Sequence, residues 1–318
     1  MALTIGIDVG GTTVAAGVID EQGSVLATAR RDTPSDDPRR TQEVIAEMVQ
    51  ELAASHDVEA VGVGAAGFVD AQRSIVLFAP NLAWRDEPLQ AGIEERCGLP
   101  VVIENDANAA AWAEARFGAG RGENHVVVLT VGTGIGGGIV LGGRLLRGRF
   151  GVAAEIGHIN LIPDGRRCGC GLEGCWEQYA SGRALVQEAQ ELAKASPAMA
   201  RDLLRLAGDE PETITGPMVT QAAQEGDVAA LRCFDVVGTW LGRGMAQLAA
   251  VLDPGLFVLG GGVSAAGELL REPAWQALLQ HLTARGHRPH AELRVAKLGP
   301  EAGIVGAGDL ARDRDRDR

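Results

Sequence analysis

Three of the chain's five cysteines fall within eight positions, as Cys168-x-Cys170-x4-Cys175, and His158 lies ten residues upstream. A Cys3His set is the closed tetrahedral shell of a structural zinc ion, with no position left for a catalytic water. Gly169, Gly171 and Gly174 permit the tight turns by which three thiolates converge on one ion. A buried apolar trio fits so glycine-rich and charged a segment poorly. A disulfide with one spare thiol belongs to an oxidising compartment, of which the sequence shows no sign. Glu155 and Glu177 bracket the group. A zinc-bound His158 keeps its second ring nitrogen as an N–H donor. With two carboxylate acceptors beside it, that donor would suit a polyhydroxylated ligand; the alternative is that both glutamates are solvated charges on helix faces.

A second kind of chemistry is written in the glycine turns. Asp8-Val9-Gly10-Gly11-Thr12-Thr13 places a carboxylate at a strand end, followed by exposed amides and a hydroxyl. A single carboxylate suits a hydrated Mg2+ that keeps its waters and phosphate oxygens. Gly10, Gly11 and Thr12 are placed to hydrogen-bond a β- or γ-phosphate. Gly132-Thr133-Gly134-Ile135-Gly136-Gly137-Gly138 offers a second such turn and Gly260-Gly261-Gly262 a third. One glycine turn alone is most often only a hairpin; three in this order point to phosphate. The 132–136 run is not a dinucleotide fingerprint, because a strand-like Ile139-Val140-Leu141 follows where a helix is required. Asn105-Asp106-Ala107-Asn108 closes a buried strand. An aspartate there can accept the proton of an attacking hydroxyl, and Asn or Asp there can equally cap a helix; the residues alone leave both readings open. Asn81, after Pro80, either reaches the same pocket or makes a turn.

The elements that must position these groups follow from periodicity. Strands are predicted over 3–9, 14–19 and 24–30, a helix over 40–54 from Val44, Ile45, Met48 and Leu52 at helical spacing, and a strand over 58–65. A helix over 87–97, a buried strand over 101–103 and an alanine-rich helix to about 117 come next. The opening phrase then restarts, with strands over 125–131, 135–141 and 144–147 separated by glycine turns, an internal duplication. Helices fill much of 180–250, a strand over 256–259 feeds the third turn, and a last strand over 293–298 precedes a last helix over 301–312. The charge-alternating tail from Arg312 to Arg318 is expected to fray. Two such halves predict two α/β domains facing each other across a cleft, with a glycine turn from each half in it.

Bulk properties narrow the function. A chain of 318 residues is long enough for two domains. No apolar run reaches bilayer length and no basic leader precedes the first strand, so the cytoplasm is the expected compartment and no membrane partner is expected. A net charge of −13 argues against nucleic acid, which needs a basic face. Lysine occurs only at 194 and 297, a composition bias that leaves no phosphate-loop lysine near the N-terminus.

Taken together, Asp8-x-Gly10-Gly11-Thr12, Asn105-Asp106-Ala107-Asn108, Glu155-x-x-His158 and Cys168-Gly169-Cys170-Gly171-x3-Cys175-x-Glu177 resemble the motifs of the ROK family of sugar kinases and repressors, and within it the actinobacterial ATP-dependent glucokinases. The likeness runs from Ile5 to Leu310. It implies an α/β, two-domain actin-like ATPase (ribonuclease H-like) fold with a cleft between the domains. The small domain would span 1–107, completed by the helix 301–312, and the large domain 108–300, carrying the zinc motif 158–175. It implies transfer of the ATP γ-phosphoryl group to the 6-hydroxyl of glucose, with Asp106 as general base. Structural Zn2+ would sit on His158, Cys168, Cys170 and Cys175, and Mg2+ would accompany ATP. Glucose would be held by Asn81, Asn105, Asp106, Glu155, His158 and Glu177, and the nucleotide by Asp8, Gly10, Gly11, Thr12, Thr133, Gly134, Gly261 and Gly262. Family members form homo-oligomers, dimers or tetramers. Repressor members carry a DNA-binding module ahead of the first strand, and with that strand beginning at residue 3 none is expected here. One departure is Thr13, where the family's first phosphate motif commonly has lysine; backbone amides and Mg2+ would carry the charge instead. The rival readings are a kinase for fructose, mannose or an N-acetylated amino sugar, one fed by polyphosphate, and a non-catalytic sugar-sensing regulator.

Overall fold

The computed structural model describes residues 2–312; the tail expected to fray lies, from residue 313 on, outside them. Apolar, β-branched runs form β1 (Leu3–Val9), β2 (Thr13–Ile19) and β3 (Val25–Asp32). Next come α1 (Pro38–Ala53) and β4 (Val58–Ala65). Helix α1 starts where it does because Asp37 caps it, accepting from Arg40 N–H at 3.0 Å, with Pro38 in its first turn. Its buried face is the expected one, Val44, Ile45, Met48 and Leu52 among it. Three short strands, β5 (Phe68–Val69), β6 (Val76–Phe78) and β7 (Arg85–Glu87), form a small sheet of their own, which the sequence pattern does not announce. Then follow α2 (Leu89–Cys97), β8 (Val101–Asn105) and α3 (Asp106–Arg116).

The repeat consists of β9 (Val126–Val131), β10 (Ile135–Leu141) and β11 (Arg144–Leu145). Helices α4 (Glu177–Ala180), α5 (Gly182–Ala195), α6 (Arg201–Leu206), α7 (Gly216–Gln224) and α8 (Val228–Leu252) lead to β12 (Leu256–Gly260), α9 (Glu268–His281), β13 (Glu292–Val295) and α10 (Ala302–Arg312). The two large sheets have orders β3-β2-β1-β4-β8 and β11-β10-β9-β12-β13. The order is the same in both, which is the duplication read from the sequence. In the first sheet the meander β1–β3 is antiparallel, and β4 and β8 add to it in parallel.

The last strand ends at Val295 rather than at 298. The backbone leaves the sheet there because the buried Glu114 carboxylate accepts from the N–H groups of Lys297 and Leu298 at 2.9 and 2.7 Å. Likewise β11 stops at Leu145 instead of 147.

The chain divides into two compact units. Among the described residues, one holds 2–127, Gly138–Ala154 and 297–312; the other holds Val128–Gly137 and Glu155–Ala296. The division expected at 107/108 is therefore displaced, for a packing reason. Helix α3 is bound to α10: Trp112 Nε1 donates to Asp309 at 2.8 Å, and Gly306 lies so close that a Cβ there would enter the Ala109 carbonyl. On its other side α10 meets β1 and β4 through the cross-strand pair Gly6 and Gly62, where a Cβ would overlap the carbonyls of Ile304 and Ala307. Only a side chain without Cβ lets helix and sheet backbones approach so closely.

Candidate functional site

In the first unit the predicted residues gather at the ends of β1 and β8. Asp8 lies on β1, and the turn after it is braced by its own backbone: Gly10 N–H donates to Thr13 O at 3.0 Å, and Thr33 Oγ1 to Gly10 O at 2.8 Å. Asn81 stands in the β6–β7 loop, which Arg85 holds by donating to the carbonyls of Ala79, Leu82 and Trp84. That loop reaches the first glycine turn; a Cβ on Gly11 would sit 3.2 Å from Asn81 Cβ. Burial, then the neighbouring charge of Asp106, pushes Asp8 from 3.8 up to about 6. Gly303 of α10 contributes to that burial, its Cα facing the Asp8 carboxyl.

At the tip of β8 the capping falls to one residue. Asn105 is the cap: its Oδ1 accepts from Asn108 N–H at 2.9 Å and its Nδ2 donates to Gly67 O at 3.1 Å. Asp106 is thereby left free of capping; its Oδ1 accepts from the adjacent Ala107 N–H at 2.9 Å. Burial raises its pKa above the ordinary carboxylate value, against the lowering effect of the backbone N–H bonds. Sequence reasoning missed what stands behind this turn. Glu104 is buried, hydrogen-bonded to Asn108 and to Arg147. Its place in the Glu104-Asn105-Asp106 run was the available signal.

In the second unit, the turn at Thr133-Gly134 is closed by Gly132 N–H donating to Gly134 O at 3.0 Å, while Gly132 O accepts from Gly182 N–H, in the first turn of α5, at 2.7 Å. Gly261 has φ +85° and is packed so tightly on β9 that a Cβ would lie 2.6 Å from Val131 O. Gly261 thus brings the third turn against the strand that leads into the second. Gly262 follows at the solvent. Glu177 joins this set to the cysteine group. One carboxylate oxygen accepts from Cys168 Sγ at 3.1 Å; the other lies 3.4 Å from Ile135 N, in space that a Cβ on Gly134 would occupy. Glu155 is exposed, just ahead of the short helical turn that carries His158.

His158, Cys168, Cys170 and Cys175 come together with all four ligand atoms within 4.8 Å of one another. His158 turns Nδ1 to the thiols, 3.6 Å from Cys168 Sγ, and Cys170 and Cys175 are also 3.6 Å apart. A tetrahedral shell with metal–sulfur bonds of about 2.3 Å has edges of about 3.8 Å, so the spacing fits a metal of that size. Burial, then the hydrogen bonds its S–H donates to Cys170 and Cys168, pushes Cys175 up to about 12. Three adjacent thiols do not ionise together without a cation to balance them, which is what a bound metal supplies. All five cysteines are free thiols.

The ROK family model matches residues 4–314. A glucokinase of Streptomyces coelicolor is 50% identical over 315 residues, covering 99% of each chain. A solved structure of a ROK family glucokinase from Streptomyces griseus, in complex with glucose and AMPPNP, is 52% identical and superimposes with a TM-score of 0.87, covering 98% of this chain and 100% of that one. The ROK hexokinase of Thermus thermophilus is 38% identical with a TM-score of 0.80, covering 99% and 100%.

Proposed function

The chain belongs to the ROK family, and on that premise we propose that it transfers the γ-phosphoryl group of ATP to the 6-hydroxyl of glucose. Its architecture is the two-domain actin-like ATPase fold of that family. One observation carries the chemistry: Asn105 does the capping, so the Asp106 carboxylate stands at the strand tip with its pKa raised by burial. A raised carboxylate is a stronger base for a hydroxyl proton.

In this reading the side chains of Asn81, Asn105, Glu155, His158 and Glu177 hold the sugar hydroxyls. Asp106 accepts the proton of the 6-hydroxyl as that oxygen attacks the γ-phosphorus in line. Gly10 closes its turn through its own N–H, and the amides of Gly11, Thr12, Thr133, Gly134, Gly261 and Gly262 donate to the phosphates, a backbone cradle that needs no lysine and so tolerates Thr13. Asp8 would hold the hydrated Mg2+ that accompanies ATP, and that ion would supply charge neutralisation on the phosphoryl oxygens. His158, Cys168, Cys170 and Cys175 would hold structural Zn2+, and a His158 that turns Nδ1 to the thiols would keep Nε2–H as a fixed donor to the sugar. Five free thiols support a reducing compartment, the cytoplasm, and no helix among the described residues is long and apolar enough to cross a membrane. A homo-oligomer, dimer or tetramer, belongs to the same proposal and is read from the mass in solution.

The test is a coupled assay over a panel of sugars and donors. Glucose with ATP is expected to give the highest kcat/KM. Preference for fructose, mannose, an N-acetylated amino sugar or polyphosphate would replace the substrate assignment, and no turnover with any pair would leave a sugar-sensing regulator.

A further inference from the structure

Glu104 is 3% exposed, yet it is ionisable and lies two residues before the proposed base. Its Oε1 accepts from Asn105 N–H at 3.0 Å and from Asn108 Nδ2 at 3.1 Å. Its Oε2 accepts from Arg147 Nε at 2.7 Å and lies 3.5 Å from Arg73 Nε. Arg73 is buried, and its own carbonyl accepts from Ile103 N–H of β8 at 3.0 Å. One carboxylate thus ties the loop after β5 and the segment after β11 to the first turn of α3. Asn108, 1% exposed, is held twice, through its side chain by Glu104 and through its N–H by Asn105 Oδ1. These two brackets interlock around residues 105–108, and Asp106 projects from between them.

We propose that Glu104, gripped by Arg147 and Arg73, is a positioning residue that fixes the strand-to-helix switch and so sets where the Asp106 carboxylate stands. The proposal rests on the reading of Asp106 as general base. Burying charges is a poor way to gain stability compared with burying apolar groups of similar size. What such a group does provide is geometry, and a reacting group displaced by about 1 Å costs about 100-fold in rate. Glutamine cannot replace the carboxylate. If its oxygen faces Asn105 and Asn108, its NH2 faces two guanidinium groups; if it turns over, the NH2 faces the Asn105 N–H and the Asn108 amide. Either way donors meet donors.

The experiment is Glu104→Gln in the full chain, alone and combined with Asp106→Asn. Alone, it is expected to lower kcat about 100-fold, with KM for glucose and ATP changed less than about threefold. In the Asp106→Asn background it is expected to add no further loss, because residues acting through one group are not additive. Amide hydrogen exchange at Asn105, Ala107 and Asn108 is expected to accelerate at least tenfold in Glu104→Gln, a readout independent of turnover. A kcat within threefold of the parent, a full further loss in the double variant, or unchanged exchange would each overturn the proposal. Should the parent chain phosphorylate no sugar, the kinase reading fails and the exchange measurement alone decides the bracket. Arg147→Met loosens the same carboxylate from its other side. It is expected to give the same pattern at about tenfold in kcat, and it serves if Glu104→Gln does not fold.

Discussion

Replacing Asp8 by asparagine is expected to stabilise the unliganded protein while abolishing its magnesium-dependent turnover. Asp8 has a folded-state pKa of about 6 against an ordinary 3.8, mainly because it is buried and secondly because Asp106 stands near. A carboxyl raised on folding stabilises the folded chain fully below pH 3.8, where both states are protonated, and that contribution is lost as pH rises through about 6. At 1.36 kcal/mol per pH unit the loss amounts to about 3 kcal/mol at pH 8 and about half of that at pH 5. Asparagine has nearly the same shape and no charge to bury, so it escapes the loss. Urea unfolding of the parent and of Asp8→Asn, in the presence of a chelator, is expected to show the variant more stable by about 3 kcal/mol at pH 8, shrinking to about 1.5 kcal/mol at pH 5. In an Asp106→Asn background the difference at pH 8 is expected to be smaller, since one source of the raised pKa is gone. An advantage independent of pH, or a variant less stable than the parent at pH 8, would refute the reasoning.

Removing the metal, by a strong chelator or by Cys175→Ser, is expected to abolish bound zinc by mass spectrometry and to raise KM for glucose at least 10-fold, because His158 and Glu177 lose their orientation; a stripped protein with unchanged KM would contradict the structural role. Gly261→Ala combines φ +85° with a Cβ 2.6 Å from Val131 O and is expected to weaken nucleotide binding by more than 10-fold, read by calorimetry, with a loss of at least about 1 kcal/mol of stability. Gly62→Ala drives a methyl into the carbonyl of Ala307 and is expected to cost about 3 kcal/mol or more in denaturant unfolding, because sheet and helix must part.

Much of the site was legible because its chemistry is local in sequence. The cysteine group is compressed into a short run, and its glycines and spacing dictate convergence. The strands of both meanders, being alternations of β-branched residues and glycine turns, were readable for the same reason. Asp106 could not be separated from its capping neighbour, since Asn and Asp both cap; the division of labour with Asn105 exists only once the Asn108 N–H is in place. What was not legible depends on partners far along the chain. Glu114 ends the last strand from nearly two hundred positions away. The displaced unit boundary follows from Trp112 and Gly306 meeting α10. Arg147 reaches Glu104 from the segment after β11. No periodicity encodes such pairs.

The account stands on Asp106 as the base for the sugar hydroxyl. Steady-state kinetics of Asp106→Asn with glucose and ATP, beside calorimetric glucose binding to the same variant, tests it most directly. The expected result is a kcat lower by about three orders of magnitude or more, with glucose affinity within a few-fold of the parent. A variant that turns over at near-parental rate would contradict the account.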